Sequence, residues 1–271
     1  MRRFYYLHST FWQITLLSIL GIFPLLFAST IQAQDLFERG KKLYEERAAE
    51  ADSFKADPAN INRAIDLFEA ALDQNIHQEK AASYLLRSYY FKAMFTGLSE
   101  DQKKEVYENG RNLGEKMIER YPNSVPIKFW YAANIGRWAD VHGFFKAATN
   151  GISKKLRRVC EDIIKENPQY QDGGGYRILA QVHFYSPNIP IVMGWPSKDK
   201  AFELVQKALA IAPNNPTNKM FYANILLEFD RHQEAKEQLY EIKRMKPRAS
   251  HTVEDRYVQY RSQKLFEEHF N

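Results

Sequence analysis

The sequence predicts an all-α chain: an α-solenoid of antiparallel helix pairs ended by a C-terminal capping helix. Three observations predict it. A pattern of small and large apolar residues at helical spacing recurs along the chain, four of its copies are followed by proline, and no segment sustains the strict alternation of a half-buried strand. With 271 residues, 45% hydrophobic and 26% charged, and only 12 glycines and 11 prolines, low-complexity, collagen-like and largely disordered chains are excluded.

The clearest copy runs between Pro213 and Pro247. Tyr222, Ala223 and Leu226 fall on a first helix, and Ala235, Leu239 and Ile242 on a second. Small side chains at Ala223 and Ala235 let two antiparallel helices approach closely, larger ones fill the groove between them, and proline ends the second helix. The second-helix half recurs as Ala201, Val205, Ala208 and Pro213; as Leu156, Cys160, Ile163 and Pro168; and as Gly110, Gly114, Met117 and Pro122. A pair of this kind cannot bury its apolar face alone, so the copies must stack. The pattern resembles the tetratricopeptide repeat, with Lys219 standing where that repeat carries a large aromatic residue.

Taken in order, Ala64, Phe68 and Ala71 mark a second helix of the first pair. Tyr84 to Phe95 begins the next pair, Thr96-Gly97-Leu98 turns the chain, and Ser99 with Gln102 offers a capping box for the partner helix. Phe129 to Ala133 opens the third pair, whose helices are separated by a long segment from Ala139 to Gly151. In the fourth, Asp172 is placed as an N-cap and Gly173-Gly174-Gly175 permits close packing on the preceding helix. No Lys-Ser/Thr pair follows those glycines, which excludes a P-loop. Tyr176 to His183 is the first helix there, and a Pro-rich loop precedes its partner near Lys198. Thr252 to Phe270 is the cap. The count is about eleven helices after residue 33, in one domain spanning 34–271 with about five pairs plus the cap.

Residues 1–33 read as a signal peptide: Arg2 and Arg3, an apolar run from Ile14 to Ala28, then Ile31-Gln32-Ala33 before the cut. An uncleaved anchor is the alternative, although Gln13, Ser18 and Pro24 interrupt the run. Cleavage places the chain in the periplasm or another extracytoplasmic space. Because Cys160 is the sole cysteine, neither an internal disulfide nor a lipoprotein anchor is expected. The formal charge of +5, from 38 basic and 33 acidic side chains, is too small and too dispersed for nucleic acid.

The stretch Gly173-Gly174-Gly175-Tyr176-Arg177-Ile178-Leu179-Ala180, the Pro-rich loop with Gly194, Lys200-Ala201, and Phe129 to Asn134 resemble the T-component of tripartite ATP-independent periplasmic (TRAP) transporters. The similar region covers about Pro126 to Pro247. The resemblance implies an exported helical protein able to form a homotrimer and to dock onto a periplasmic solute-binding protein, with a pore or cleft for an apolar or carboxylate ligand. The Trp-Tyr-Ala run with Lys154, Lys155 and Pro168 is also similar to the helical domain of regulator of microtubule dynamics proteins, a match of repeat architecture rather than of function.

The first helix of each pair lines the inner face of a solenoid, where polar and aromatic side chains are candidate contacts. Trp130, Asn134, Arg137 and Trp138 form one stripe, Arg177, Gln181 and Phe184 a second, and Met220, Asn224 and Leu227 a third. Guanidinium groups between aromatic walls suit a carboxylate end on an apolar body. Alternatively, Trp130 fills the aromatic core position, since the register of the third pair is open by one residue. The apolar loop with Ile189, Met193 and Trp195 either tucks into the solenoid or offers a docking patch. The seven histidines have no metal-ligand spacing, and Cys160 lacks a neighbouring base. No catalytic residue, metal or cofactor is assigned. The expected function is non-enzymatic: docking a protein partner such as a solute-binding protein, with a small ligand in the groove. The alternative is a general periplasmic scaffold that binds peptide segments only.

Overall fold

The computed structural model describes residues 36–75, 77–186 and 194–270, without the side chains at 144, 145 and 148. Residues 1–33, read from the sequence as a signal peptide, and loop residues Ile189 and Met193 lie outside these. The described helices are α1 (36–45), α2 (Pro58–Asp73), α3 (Gln78–Phe95), α4 (Glu100–Arg120), α5 (Val125–His142), α6 (Phe144–Thr149), α7 (Ile152–Glu166), α8 (Tyr170–Tyr185), α9 (Lys198–Ile211), α10 (Pro216–Glu228), α11 (His232–Arg244) and α12 (Thr252–Phe270). They pack in sequential antiparallel pairs, as the repeat requires. The short α6 is an addition: it occupies the segment that the sequence leaves between the helices of the third pair, α5 and α7.

The repeat residues do the packing predicted for them. Ala64, Phe68 and Ala71 of α2, Cys160 and Ile163 of α7, Ala201, Val205 and Ala208 of α9, and Ala235 and Ile242 of α11 are all buried. Glycine replaces alanine on α4 because the neighbouring helix leaves no room. A Cβ on Gly110 would lie 2.6 Å from Asn134 Cγ, and one on Gly114 would lie 2.8 Å from Tyr131 Cγ. Ser99 and Gln102 form the expected reciprocal capping box at the start of α4.

The third pair settles its register. Lys128, Ala132 and Ile135 occupy on α5 the places that Lys219, Ala223 and Leu226 occupy on α10, and all six are buried. Lysine therefore fills the aromatic core position twice. Each ammonium meets carboxylates of the partner helix: Lys128 Nζ lies 2.7 Å from Glu166 and 3.9 Å from Asp162, and Lys219 Nζ lies 2.5 Å from Glu241. Trp130 is thus released from the core position and sits half-buried two residues further along.

At the entry to α8 the structure corrects the sequence reading. Gln171, Asp172 and Gly173 have left-handed φ of 50°, 59° and 74°, so the chain kinks after Tyr170 before the helix proper. Asp172 does not cap α8. Its carboxylate accepts from Asn215 Nδ2 at 2.7 Å and Arg248 Nη1 at 3.3 Å, tying the kink to the next pair. Gly175 packs on the preceding helix as expected, since a Cβ there would stand 2.9 Å from Ile163 Cγ2 of α7, whereas one on Gly173 would meet Ala208 Cα of α9 and one on Gly174 Phe129 Cζ of α5, each at 3.0 Å.

The first helices of successive pairs touch one another in the order α3, α5, α8, α10, α12 and form an inner layer. The last of them does more than cap α10 and α11. Arg47, just after α1, bonds to Ser250 O and Glu254, Arg256 reaches Ala51 O, and Phe54 stacks on Tyr260 at 4.5 Å. Tyr257 meets Phe95 edge-on at 5.7 Å. The C-terminal helix thereby meets the first turns of the solenoid, and the inner layer curls back upon itself. Among the described residues, no helix is long and apolar enough to cross a membrane.

Candidate binding groove on the inner helix layer

Seven residues span about two helical turns, so Trp130 and Arg137 share one face of α5 within about 20°. Asn134 and Trp138 lie about 40° and about 80° round the same helix and roll towards its neighbours. The structure accordingly removes these two from the groove. Asn134 is fully buried, donating to Leu86 O at 2.9 Å and Trp130 O at 2.7 Å. Trp138 is also fully buried, with its indole N–H on Glu108 of α4 and its ring against His142 and Arg111. Both are packing residues.

Trp130 and Arg137 remain on the inner face and are joined through a residue that the sequence stripes omit. Tyr90 of α3 packs 5.7 Å from the Trp130 ring and lies close enough to the Arg137 guanidinium to favour its charge. The Arg137 guanidinium pairs with Asp140 at 2.9 Å, and 38% of its side chain stays open to water deep within the concavity. Its pKa is raised: burial opposes the charge, but Tyr90, Asp140 and Tyr107 outweigh it.

Arg177 of α8 lies near the same tyrosine. Its one hydrogen bond runs from Nη1 to Asn218 Oδ1 at 2.6 Å. Asn218 is fully buried and fixed by donating to Asp172 O and Ala208 O, so the arginine is held by a rigid neutral group. Burial lowers the Arg177 pKa, against Tyr90 and Asp172, and the Arg248 charge lowers it further.

Asn224 of α10 donates to Tyr185 OH at 3.0 Å, and Tyr185 in turn feels the Arg137 charge. This brings the third stripe to the first. Gln181 is half-buried on the same helix as Arg177. Phe184 instead packs edge-on against Phe221 at 5.8 Å as part of the core wall. Of the loop candidates, Trp195 is described. It tucks inwards, edge-on to His183 at 5.1 Å and under the Arg157 guanidinium at 5.0 Å.

Sequence stripes missed Arg87, which faces the same surface from α3. Its guanidinium lies 4.7 Å from the Tyr44 ring and 5.2 Å from the Trp130 ring. Arg87, Tyr90, Trp130 and Arg137 therefore form a basic and aromatic floor on α3 and α5, with Arg177 on the adjoining α8 within electrostatic reach of Tyr90. Cys160, by contrast, is fully buried, and burial pushes its thiol pKa up, away from thiolate chemistry.

No family model matches the chain, and no curated protein matches it. Solved structures do. A tetratricopeptide protein of Thermus thermophilus, TTC0263, superposes with a TM-score of 0.57 at 16% identity, over 87% of this chain and 97% of that one. A second, described as MamA RS-1 ArsTM double mutant, gives a TM-score of 0.44 at 14% identity, over 75% of this chain and 86% of that one. The likeness to the Thermus protein establishes the fold: an all-α solenoid of tetratricopeptide type.

Proposed function

We propose that this chain is a non-enzymatic binding protein whose inner helix layer holds a segment of a protein partner. The observation that carries the reading is the floor of Arg87, Tyr90, Trp130 and Arg137 with Arg177 on the adjoining helix, a set of hydrogen-bonding and stacking groups presented on the concave side. Such a surface suits recognition of a chain laid along it, because backbone and side-chain carbonyls find donors and apolar side chains find ring faces.

The compartment belongs to the same proposal. The leader pattern of residues 1–33 supports export, with cleavage after Ala33 and no lipoprotein anchor, and the resemblance to TRAP-transporter T-components supports a periplasmic solute-binding protein as the partner and a homotrimer as the assembly. A small apolar carboxylate held in the groove fits the same residues.

Native mass spectrometry of the protein purified without denaturation from its own cell envelope tests this. Wild type is expected to begin at Gln34 and to carry a protein partner or small ligand. An Arg137→Ala/Arg177→Ala variant with unchanged helical circular dichroism is expected to lose it. A bare monomer for wild type and variant alike overturns the reading.

A further inference from the structure

The arginines that converge on the inner surface are not equally neutralised. Arg47 pairs with Glu254, Arg248 makes a two-pronged contact with Asp255, and Arg137 pairs with Asp140. Among the described residues, no carboxylate pairs with Arg87 or with Arg177. Arg87 is held by two ring faces, and its Nε is buried with no hydrogen-bond partner. Arg177 hydrogen-bonds only the neutral Asn218 oxygen, and burial outweighs the more distant help of Tyr90 and Asp172 to its charge.

A partly buried guanidinium with no anion paired to it has its charge poorly compensated. Two such groups on one surface mark places where an anion from outside completes the charge balance. Arg87 also has two aromatic neighbours, so an apolar group beside its anion finds a stacking surface. Arg87 stands on α3 and Arg177 on α8, with α5 between them, and packed helices lie about 8–10 Å apart. The two charges are thus on the order of 10–20 Å apart, a span that an extended chain covers in about three to five residues at roughly 3.3 Å each.

We propose that Arg87 and Arg177 anchor two acidic side chains of an extended partner segment, which crosses Trp130 and Tyr90 with its intervening apolar residues against the rings. This deepens the groove reading above and rests on it. The partner is recognised here by chemistry: a peptide segment with acidic residues about three to five positions apart and apolar residues between.

The test uses two fluorescein-labelled ten-residue probes, one alternating Glu with Leu and the other alternating Gln with Leu, read by fluorescence anisotropy with the full processed chain. The Glu probe is expected to bind, to weaken with added salt, and to lose roughly ten- to hundredfold in affinity in Arg87→Gln and in Arg177→Gln. Arg87→Lys and Arg177→Lys are expected to retain part of it, and Lys104→Gln on the outer helix α4 all of it. Circular dichroism checks that each variant is folded. Equal binding of both probes, unmoved by either arginine substitution, overturns the anchors while leaving the groove. Absence of binding by both probes and by free glutarate removes the groove reading as well. Binding of free glutarate with neither peptide bound overturns the extended segment as the occupant.

Discussion

Arg47 Nη2 lies 2.6 Å from Glu254 Oε1 although 207 residues separate them in the chain. The arginine is almost wholly buried, with 5% of its side chain exposed, and Tyr44 and Phe91 lie under its guanidinium. The contact joins the first turns of the solenoid to α12. In an open solenoid each pair touches only its neighbours, so the ends communicate weakly. Here the ends are neighbours, and the inner surface is held at fixed curvature between them.

Glu254→Gln is therefore expected to destabilise the chain by about 2–4 kcal/mol, because it strands a buried guanidinium. Arg47→Met with Glu254→Leu together is expected to recover most of that loss. Arg47 Nε and Glu254 Oε2 already lack partners, so the ion pair is imperfectly solvated by the protein and apolar replacement removes a penalty. Urea unfolding compares the variants. Hydrogen exchange on α12 should accelerate in Glu254→Gln before it does in α5.

The two buried lysines make a sharper asymmetry. Lys219→Met keeps the volume and leaves Glu241 half-exposed to water, so it is expected to change stability by no more than about 1 kcal/mol. Glu241→Ala leaves the Lys219 ammonium in the core position with only Gln238 as acceptor and is expected to lose about 2–3 kcal/mol. Denaturant midpoints for the two variants should differ in that order. The reverse order would show that the ammonium, rather than its aliphatic stem, is what the position requires.

Glycines on α4 and α5 test the close helix approach. Gly114→Ala places a methyl 2.8 Å from Tyr131 Cγ and 2.9 Å from its Cβ, atoms anchored to the α5 backbone that cannot swing aside. The clash should cost about 1–3 kcal/mol, more than the gain in helix propensity of up to about 1 kcal/mol. Gly136→Ala on α5 meets nothing within 4 Å and should gain roughly 0.5–1 kcal/mol. Thermal unfolding midpoints should move in opposite directions.

The packing of this chain was legible because its repeat is written in side-chain volume. Ala223, Ala235, Cys160, Gly110 and Gly114 are small or compact where helices meet, and spacing alone reveals that. The inner surface was legible only in part. Trp130, Arg137 and Arg177 follow from helical periodicity, but a stripe four residues apart drifts about 40° per step, which carried Asn134 and Trp138 into the core. Arg87 and Tyr90 were missed because their role depends on which ring of a different helix lies opposite. The Asp172 kink escaped for a similar reason. Its left-handed backbone is stabilised by Asn215 and Arg248, which are distant in sequence.

Acid should weaken the fold through two histidines. His183 is buried against Trp195, accepts from Ser197 N–H at Nδ1, and faces Arg157, Lys200 and Glu161; burial first and the two cations next hold its pKa below the ordinary value of about 6.5. His251 is lowered by burial too, with Glu254 opposing and Arg248, Arg47 and Arg87 assisting. In each case the unfolded chain binds a proton more readily than the folded one. Stability is thus fully present above pH about 6.5 and falls as pH drops through the folded values, then levels off. Glu115, whose pKa is lowered by Lys155 and Arg111 against burial, titrates below that window. The unfolding midpoint should therefore fall between about pH 7.5 and about pH 5.5, and His183→Gln should shrink the fall. An equal fall in that variant would assign the effect to His251, where protonation would add a positive charge beside Arg47 and loosen the closure of α12 on the first turns.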